Sequence, residues 1–226
     1  FCLSRSSHHF STNQEMRRGF YELGRTLRET GQAIDRIGLR SIDKPIFKEP
    51  FSRHRPVMNL FDKHPWLATD VFVAPSASVI GSVDINIKSS VMYGAVIRGD
   101  LSKVDIGAYT TIGDRAVIHT SETVEGKPEA NCVVGDYVTV GSGACLQSCT
   151  VQRGAKIGAG AVVMEGALVE EFAEVAPGAI VHPGRRIPKG QLWAGNPAEF
   201  VKDLAKSEMA HHQEDAEAAA DIAGEH

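Results

Sequence analysis

Aliphatic side chains recur every six residues through most of this 226-residue chain. One run of such positions extends from Val73 to Ile97, a second from Val151 to Ile187, and six further positions lie between the runs. A period of six fits neither a 3.6-residue helix nor the alternation of a hairpin. It predicts an all-β fold, a parallel β-helix of hexapeptide repeats in which three short faces complete one coil. The 18 anchor positions, enough for six coils, are Val73, Val79, Ile85, Val91, Ile97, Ile106, Ile112, Ile118, Val134, Val140, Leu146, Val151, Ile157, Val163, Val169, Val175, Val181 and Ile187.

The period is interrupted at two places. Nine residues separate Ile97 from Ile106, and sixteen separate Ile118 from Val134. A solenoid accommodates extra residues as loops that project from its corners. The residues at 98–100 and the loop at 119–131 are therefore candidate functional surfaces.

The two ends of the chain lack the repeat. Residues 1–60 are predicted to form an extension with an amphipathic helix at about 14–40. Residues 61–196 are predicted to form the β-helix, and residues 197–226 are predicted to form a helix with an acidic tail. The terminal helix is expected from about Pro197 to Ala220, packed along the solenoid by an apolar stripe. That stripe is Phe200, Val201, Leu204 and Met209. The apolar face of the first helix is Phe20, Leu23, Leu27, Ile34 and Ile37. This arm is predicted to dock on a protein partner or an anionic membrane, the alternative being packing on its own solenoid.

Charge and composition restrict the setting. Residues 1–60 hold 11 Lys or Arg against 6 Asp or Glu, whereas 199–226 hold 2 against 8, which indicates separate surfaces for separate neighbours. No compact basic patch points to nucleic acid, and no apolar run reaches the roughly 18 residues of a membrane-spanning helix. Four cysteines in a chain this long favour a reducing compartment. The first 14 residues are rich in serine and lack acids, as in the tail of an organellar transit segment, although a frayed terminus is the alternative.

Several motifs together resemble the gamma-class carbonic anhydrases over residues 50–205. They are RGD at 98–100, VDIGAYTTIGDRAVIH at 104–119, VGSGACLQSC at 140–149 and the closing segment with W-GNPA-F. RETGQAIDRIGLR at 28–40, SRHRPVMNLFDKHP at 52–65 and FVAPSASVIGSV at 72–83 are similar, more narrowly, to gamma-carbonic-anhydrase-like subunits of mitochondrial respiratory complex I. The resemblance implies a left-handed β-helix that assembles as a trimer.

The resemblance also implies a zinc site between subunits, held in active members by two histidines of one chain and one of its neighbour. The first ligand position is His119, the second is Ser142 and the third is Gln147. A hydroxyl and an amide are poor ligands for zinc, so we expect this chain to bind no metal. Zinc is expected, if anywhere, at the interface between the other two subunits of a heterotrimer.

The residues around the predicted ligand positions match the family's pattern only in part. Thr111 and Gly113 depart from the family's Asn and Gln, whereas Asp114 is retained. Glu122 lies where some active members carry a proton-shuttling acid. Cys145 and Cys149 could serve as replacement thiolates or, as we expect, as ordinary buried or corner residues.

Arg98 and Asp100 resemble the family's interface ion pair, the alternative being a corner turn fixed by Gly99. An interface motif kept beside lost ligands predicts a non-catalytic assembly subunit. Its expected place is the heterotrimer on the matrix side of the mitochondrial inner membrane, attached peripherally to the membrane arm of complex I. The alternatives are a carbonic anhydrase with unusual ligands, or a hexapeptide acyltransferase that uses His119 as a base.

Overall fold

The computed structural model describes residues 19–20, 22–34, 37–38, 54–123 and 130–223. The chain divides into two compact units, residues 1–53 and 54–226. In the first unit all described residues are helical, in agreement with the predicted amphipathic arm. The side chains predicted to form its apolar face are exposed: Phe20, Leu23, Leu27, Ile34 and Ile37.

The second unit is a left-handed parallel β-helix, as predicted, with three faces that we name A, B and C. Face A contains β1 (Val57–Met58), the first part of β4 (Ser78–Ile85), the first part of β6 (Val96–Ile106), β8 (Val117–His119), β11 (Cys145–Gln147), β14 (Val162–Val163) and β17 (Ile180–Val181). Face B contains β2 (Trp66–Leu67), the second parts of β4 and β6, β9 (Cys132–Val134), β12 (Thr150–Val151), β15 (Leu168–Val169) and β18 (Arg186–Ile187). Face C contains β3 (Phe72–Val73), β5 (Ser90–Val91), β7 (Thr111–Ile112), β10 (Thr139–Val140), β13 (Lys156–Ile157), β16 (Glu174–Val175) and β19 (Gln191–Ala194).

Each face has seven parallel rungs, one more than the anchor pattern predicts. The pattern begins at Val73, whereas Val57 and Leu67 already occupy anchor positions by pairing with Val79 and Ile85. At the other end Trp193 pairs with Val175 and completes the last rung of face C. Sequence spacing misses these three residues because loops of other lengths separate them from the regular run.

The anchors form one continuous hydrophobic core along the axis of the solenoid. Nearly all of them are fully buried, and so are the small residues that follow four positions later at the corners. Ala, Ser or Thr stands at most of these corners because the chain turns towards the axis there and leaves little room, although one corner holds Val138. The buried corner residues are Ala77, Ser89, Ala95, Thr110, Ala116, Ala144, Ala155, Ala161, Ala167, Ala173 and Ala179.

The prediction for the C-terminal segment is wrong at its start. Glu199–Asp203 forms a strand, β20, that pairs antiparallel with β19, and the helix extends over Lys206–Ala223. Phe200 and Val201 are exposed on this strand and do not contribute to a helical stripe. Strand β20 covers the edge of face C that β19 would otherwise leave open.

The C-terminal helix packs along face C, as predicted, against β7 and β10. Its buried residues form a narrow strip, His212, Ala216 and Ala223. Of the predicted apolar stripe only Met209 lies on the helix, partly buried beside Gly190. An ion pair between Lys156 Nζ and Asp215 Oδ2, at 3.1 Å, joins the helix to face C. No helix in the described part of the chain is long and apolar enough to cross a membrane.

Candidate functional site

The candidate site lies at the edge where face A turns into face B, which we call the A–B edge. Arg98, His119 and Gln147 follow buried anchors on consecutive strands of face A and pair with one another in register. Parallel pairing places neighbouring strands about 4.8 Å apart, so the His119 imidazole and the Gln147 amide project from adjacent rungs. Both side chains are partly exposed.

Ser142 lies at the opposite edge of the same face. It is exposed and precedes β11, whereas Gln147 ends that strand. The structure therefore brings the first and third predicted ligand positions together and separates the second from them within one chain. A second subunit would have to supply a group from its own Ser142 edge to meet His119.

Gln147 has a hydrogen-bonded setting of its own. Its Nε2 donates to Ser121 Oγ at 2.9 Å, and Ser121 Oγ donates to Glu165 Oε2 at 3.2 Å. Sequence reasoning missed Ser121 and Glu165 because they are 26 and 18 residues from Gln147, in a loop and at a corner. No local motif connects them.

Ser148 is a second residue that the sequence reasoning missed. Its side chain is fully buried, and its hydroxyl accepts from Ser121 N at 2.6 Å and donates to Ala130 O at 2.7 Å. Its φ of 38° is in the left-handed region. The signal was present in the spacing, since Leu146 and Val151 are five residues apart instead of six and the corner is one residue short.

The residues around the predicted ligands have structural partners. Thr111 is buried and accepts a hydrogen bond from Ser90 Oγ at 3.1 Å. A Cβ on Gly113 would lie 2.7 Å from Ser142 N, so the neighbouring coil requires glycine there. Asp114 Oδ1 accepts from Tyr93 N at 3.0 Å, and Glu122 is exposed.

Relatives with known names match most of the chain. Gamma carbonic anhydrase 3, mitochondrial, from Arabidopsis thaliana is 49% identical over 193 residues, which cover 85% of this chain and 75% of that protein. Gamma carbonic anhydrase 1, mitochondrial, from the same plant is 44% identical over 194 residues, 85% of this chain and 70% of that protein. The chain belongs to the gamma carbonic anhydrase family. No protein-family model matches it.

A solved structure agrees with the fold of this gamma carbonic anhydrase family member. A hexapeptide transferase family protein from Anaplasma phagocytophilum superimposes with a TM-score of 0.69 at 32% identity. The match covers 74% of this chain and 95% of that one.

The donor groups at the three predicted ligand positions do not fit zinc. They are one imidazole, one amide and one hydroxyl, whereas zinc in proteins selects imidazole, thiolate and carboxylate. Gln147 also uses its amide to hold Ser121. Within the part of the chain that the structure describes, no three His, Cys, Asp or Glu side chains are grouped to hold a metal ion.

The cysteines near the site are poor replacements as ligands. Cys149 is fully buried. Cys145 points outward from face A, and burial raises the pKa of its thiol above the ordinary value. A metal ligand must be the thiolate, so a raised pKa disfavours coordination.

The predicted interface pair of this gamma carbonic anhydrase family member lies at the bulge of β6, residues 100–103, where the register with β4 shifts. Arg98 Nη2 donates to Asp100 Oδ2 at 2.5 Å within the chain. Burial raises the pKa of the Asp100 carboxyl, but the hydrogen bonds from Arg98 and from the Leu101 amide outweigh that effect, and the pKa lies below its usual value. Lys63 Nζ donates to the carbonyls of Asp100 and Leu101, so the bulge is held from a preceding coil.

Proposed function

We propose that this chain is a non-catalytic structural subunit of a gamma-carbonic-anhydrase-like heterotrimer. The observation that carries the proposal is the set of donors at the three ligand positions: His119, Ser142 and Gln147. In a trimer of this kind each chain supplies two ligands to one interface and one ligand to the other. This chain has His119 but not the second histidine that the first role needs, and it has Ser142 where the other role needs a histidine. Only the interface between the other two subunits could therefore hold zinc.

The outer surface of face A supports an assembly role. Its outward positions form a continuous apolar row that is only partly buried: Val96, Val117, Cys145, Val162 and Ile180. The corresponding row of face B is mixed, because polar or charged residues interrupt its apolar ones: Trp66, Asp84, Asp105, Val133, Thr150, Leu168 and Arg186. An apolar β-branched row on one outer face of a sheet is typical of a surface that packs against protein. We name this row the face A stripe. It lies between the Ser142 edge and the A–B edge, where ligands of neighbouring chains would meet.

The cellular setting in the proposal is the mitochondrion, on the matrix side of the inner membrane and attached to the membrane arm of complex I. The names of the Arabidopsis relatives contain the word mitochondrial. The arm and the segments at 28–40 and 52–65 resemble complex I subunits of this family. The exposed apolar side chains of the arm, Phe20, Leu23, Leu27, Ile34 and Ile37, are the proposed docking contacts.

Metal analysis tests the non-catalytic role. The chain is purified after expression in zinc-supplemented medium, alone and co-expressed with an active gamma carbonic anhydrase, and zinc content and CO2 hydration are measured. We expect no stoichiometric zinc and no hydration from the chain alone. The matched control is the double variant Ser142→His with Gln147→His, which restores three imidazoles at each interface and should bind about one zinc per chain. Stoichiometric zinc at His119 in the unaltered chain would overturn the proposal.

An acyltransferase is the alternative that a specific observation favours. The Anaplasma phagocytophilum structure is named as a hexapeptide transferase family protein, and the His119 imidazole is partly exposed. Acetyl-CoA turnover with a panel of amine and hydroxyl acceptors separates the two functions. Turnover that His119→Gln abolishes would favour the transferase over the structural subunit.

A further inference from the structure

We infer that the ligand position at Gln147 has been rebuilt as a hydrogen-bonded clamp on the loop between β8 and β9. Gln147 and Ser148 are positioning residues in this clamp, and they fix the two ends of the loop, near Ser121 and Ala130. The inference rests on the proposed function, because it explains what occupies the third ligand position of a chain that binds no zinc. It adds that a histidine ligand at this position and the hydrogen bonds that hold residues 119–123 and 130–133 exclude each other.

The first half of the clamp is a directed chain of hydrogen bonds. Ser121 has one hydroxyl proton, and it donates that proton to Glu165 at 3.2 Å. Its oxygen can then only accept, and Gln147 Nε2 donates to it at 2.9 Å. A histidine that binds zinc through a ring nitrogen has no proton on that atom. Its remaining N–H is on the other ring nitrogen, which points away from the metal, so a histidine ligand at 147 could not donate to Ser121 from the position of Gln147 Nε2.

The second half of the clamp is the Ser148 hydroxyl. It contacts both ends of the loop, accepting from Ser121 N and donating to Ala130 O. Because Ser148 is fully buried, no water can replace these bonds without opening the corner. To reach both loop ends, Ser148 adopts a left-handed φ of 38°, which is rare for serine. Strain of this kind persists only where the surrounding contacts hold it.

The clamped loop ends are joined to the β6 bulge. Ser102 N donates to Thr120 Oγ1 at 3.1 Å, and Ser102 Oγ donates to Ser121 O at 3.2 Å. Lys103 N donates to Asn131 Oδ1 at 3.1 Å. The bulge also contains Asp100, so the clamp and the predicted interface pair belong to one hydrogen-bonded block at the A–B edge. A neighbouring β-helix subunit would meet this block already formed.

Amide hydrogen exchange of the full chain tests the clamp, with the Ser121 amide as the reporter because its acceptor is Ser148 Oγ. We expect Gln147→Ala and Ser148→Gly each to accelerate exchange at residues 119–123 and 130–133 by about tenfold or more. Exchange in β13 and β16 shows in the same experiment whether each variant is folded. The control is Arg115→Gly, which also replaces a left-handed residue, with a φ of 55°, at the corner before β8 rather than at the corner after β11. It should leave the loop ends unchanged.

A double-mutant cycle separates the clamp from general loss of packing. Ser121→Ala removes the same bond as Gln147→Ala and also the bond to Glu165, so the combined variant should exchange little faster than Ser121→Ala alone. Unchanged exchange in Gln147→Ala, or additive effects in the cycle, would overturn the inference.

The restored-ligand variant, Ser142→His with Gln147→His, distinguishes this inference from the proposed function. Because this variant lacks the Gln147 amide, we expect it to lose protection at the loop ends, also when zinc is bound. Zinc binding with wild-type protection at residues 119–123 would refute the clamp and leave the structural role standing. Zinc in the unaltered chain would refute the structural role, while the exchange of the single variants would still decide the clamp.

Discussion

Glycine after an anchor is required by the neighbouring coil. A Cβ on Gly141 would lie 2.5 Å from Ala159 N, and one on Gly158 would lie 2.3 Å from Pro177 N. These contacts are with backbone atoms, which cannot move aside as a flexible side chain can. Gly160 differs, because a Cβ there would meet nothing within 4 Å and only its φ of 66° favours glycine. Glycine is therefore required by contact with the next coil at Gly141 and Gly158, and by backbone conformation at Gly160.

Alanine substitution should separate these reasons. We expect Gly158→Ala to lower the free energy of unfolding by about 3 kcal/mol, since two coils must be pushed apart. Gly160→Ala, which adds the same methyl group in open space, should cost about 1 kcal/mol through its left-handed backbone. Urea unfolding followed by circular dichroism measures both. Equal losses would contradict the backbone-contact explanation.

The Cys145 thiol should be a slow nucleophile. Burial raises its pKa, so a smaller fraction is thiolate at neutral pH than in a solvated cysteine, and the fraction grows as pH rises towards the shifted pKa. We expect iodoacetamide to label Cys145 more slowly than glutathione at pH 7.5, with a rate that increases at higher pH. Peptide mass mapping assigns the site. Labelling as fast as glutathione would show a solvated thiol.

At the scale of elements, the C-terminal helix is held by little apolar contact. Its buried residues are His212, Ala216 and Ala223, two of which have only a methyl group to bury. The His212 Nδ1 atom is buried without a hydrogen-bond partner. Contacts of this kind contribute less than a stripe of leucines, so the helix should open more readily than the solenoid beneath it.

A charge at the centre of that contact should detach the helix. We expect Ala216→Asp to accelerate amide exchange over residues 206–223 by about tenfold or more, because the carboxylate would be buried against face C. Ala218→Asp adds the same charge at an exposed position and should have little effect. The solenoid amides should stay protected in both variants. Equal exchange in the two variants would mean that the helix does not rely on this contact.

The start of this helix could not be predicted from the spacing of apolar residues. Phe200, Val201, Leu204 and Met209 can be arranged on one side of a helix, and that arrangement predicted a start near Pro197. The residues at 199–203 instead pair with β19, because the last strand of face C presents an open edge that a local pattern does not reveal. Antiparallel pairing with the preceding strand therefore determined the structure of residues 199–203.

At the scale of the whole molecule, the six-residue period was sufficient to predict the solenoid, all its inward anchors except Val57, Leu67 and Trp193, and two places where loops leave it. Each anchor packs only against its neighbours in the coils above and below, so a short stretch of sequence is enough to reveal the repeat. The clamp at Gln147 and Ser148 was not predictable in this way. It joins side chains from three coils, and only the short spacing from Leu146 to Val151 pointed to an unusual corner.

Assembly should depend on the face A stripe. We expect Val117→Lys and Val162→Lys to prevent association while the solenoid stays folded, because a lysine in the middle of the stripe would bury an unpaired charge between subunits. Val133→Lys is the matched control, since Val133 is an outward valine on face B. Co-expression with a gamma carbonic anhydrase, followed by light scattering on a sizing column, measures the mass. The unaltered chain and Val133→Lys should elute as trimers and the stripe variants as smaller species. Trimers that form equally well with lysine at 117 and 162 would show that the subunits meet through another surface.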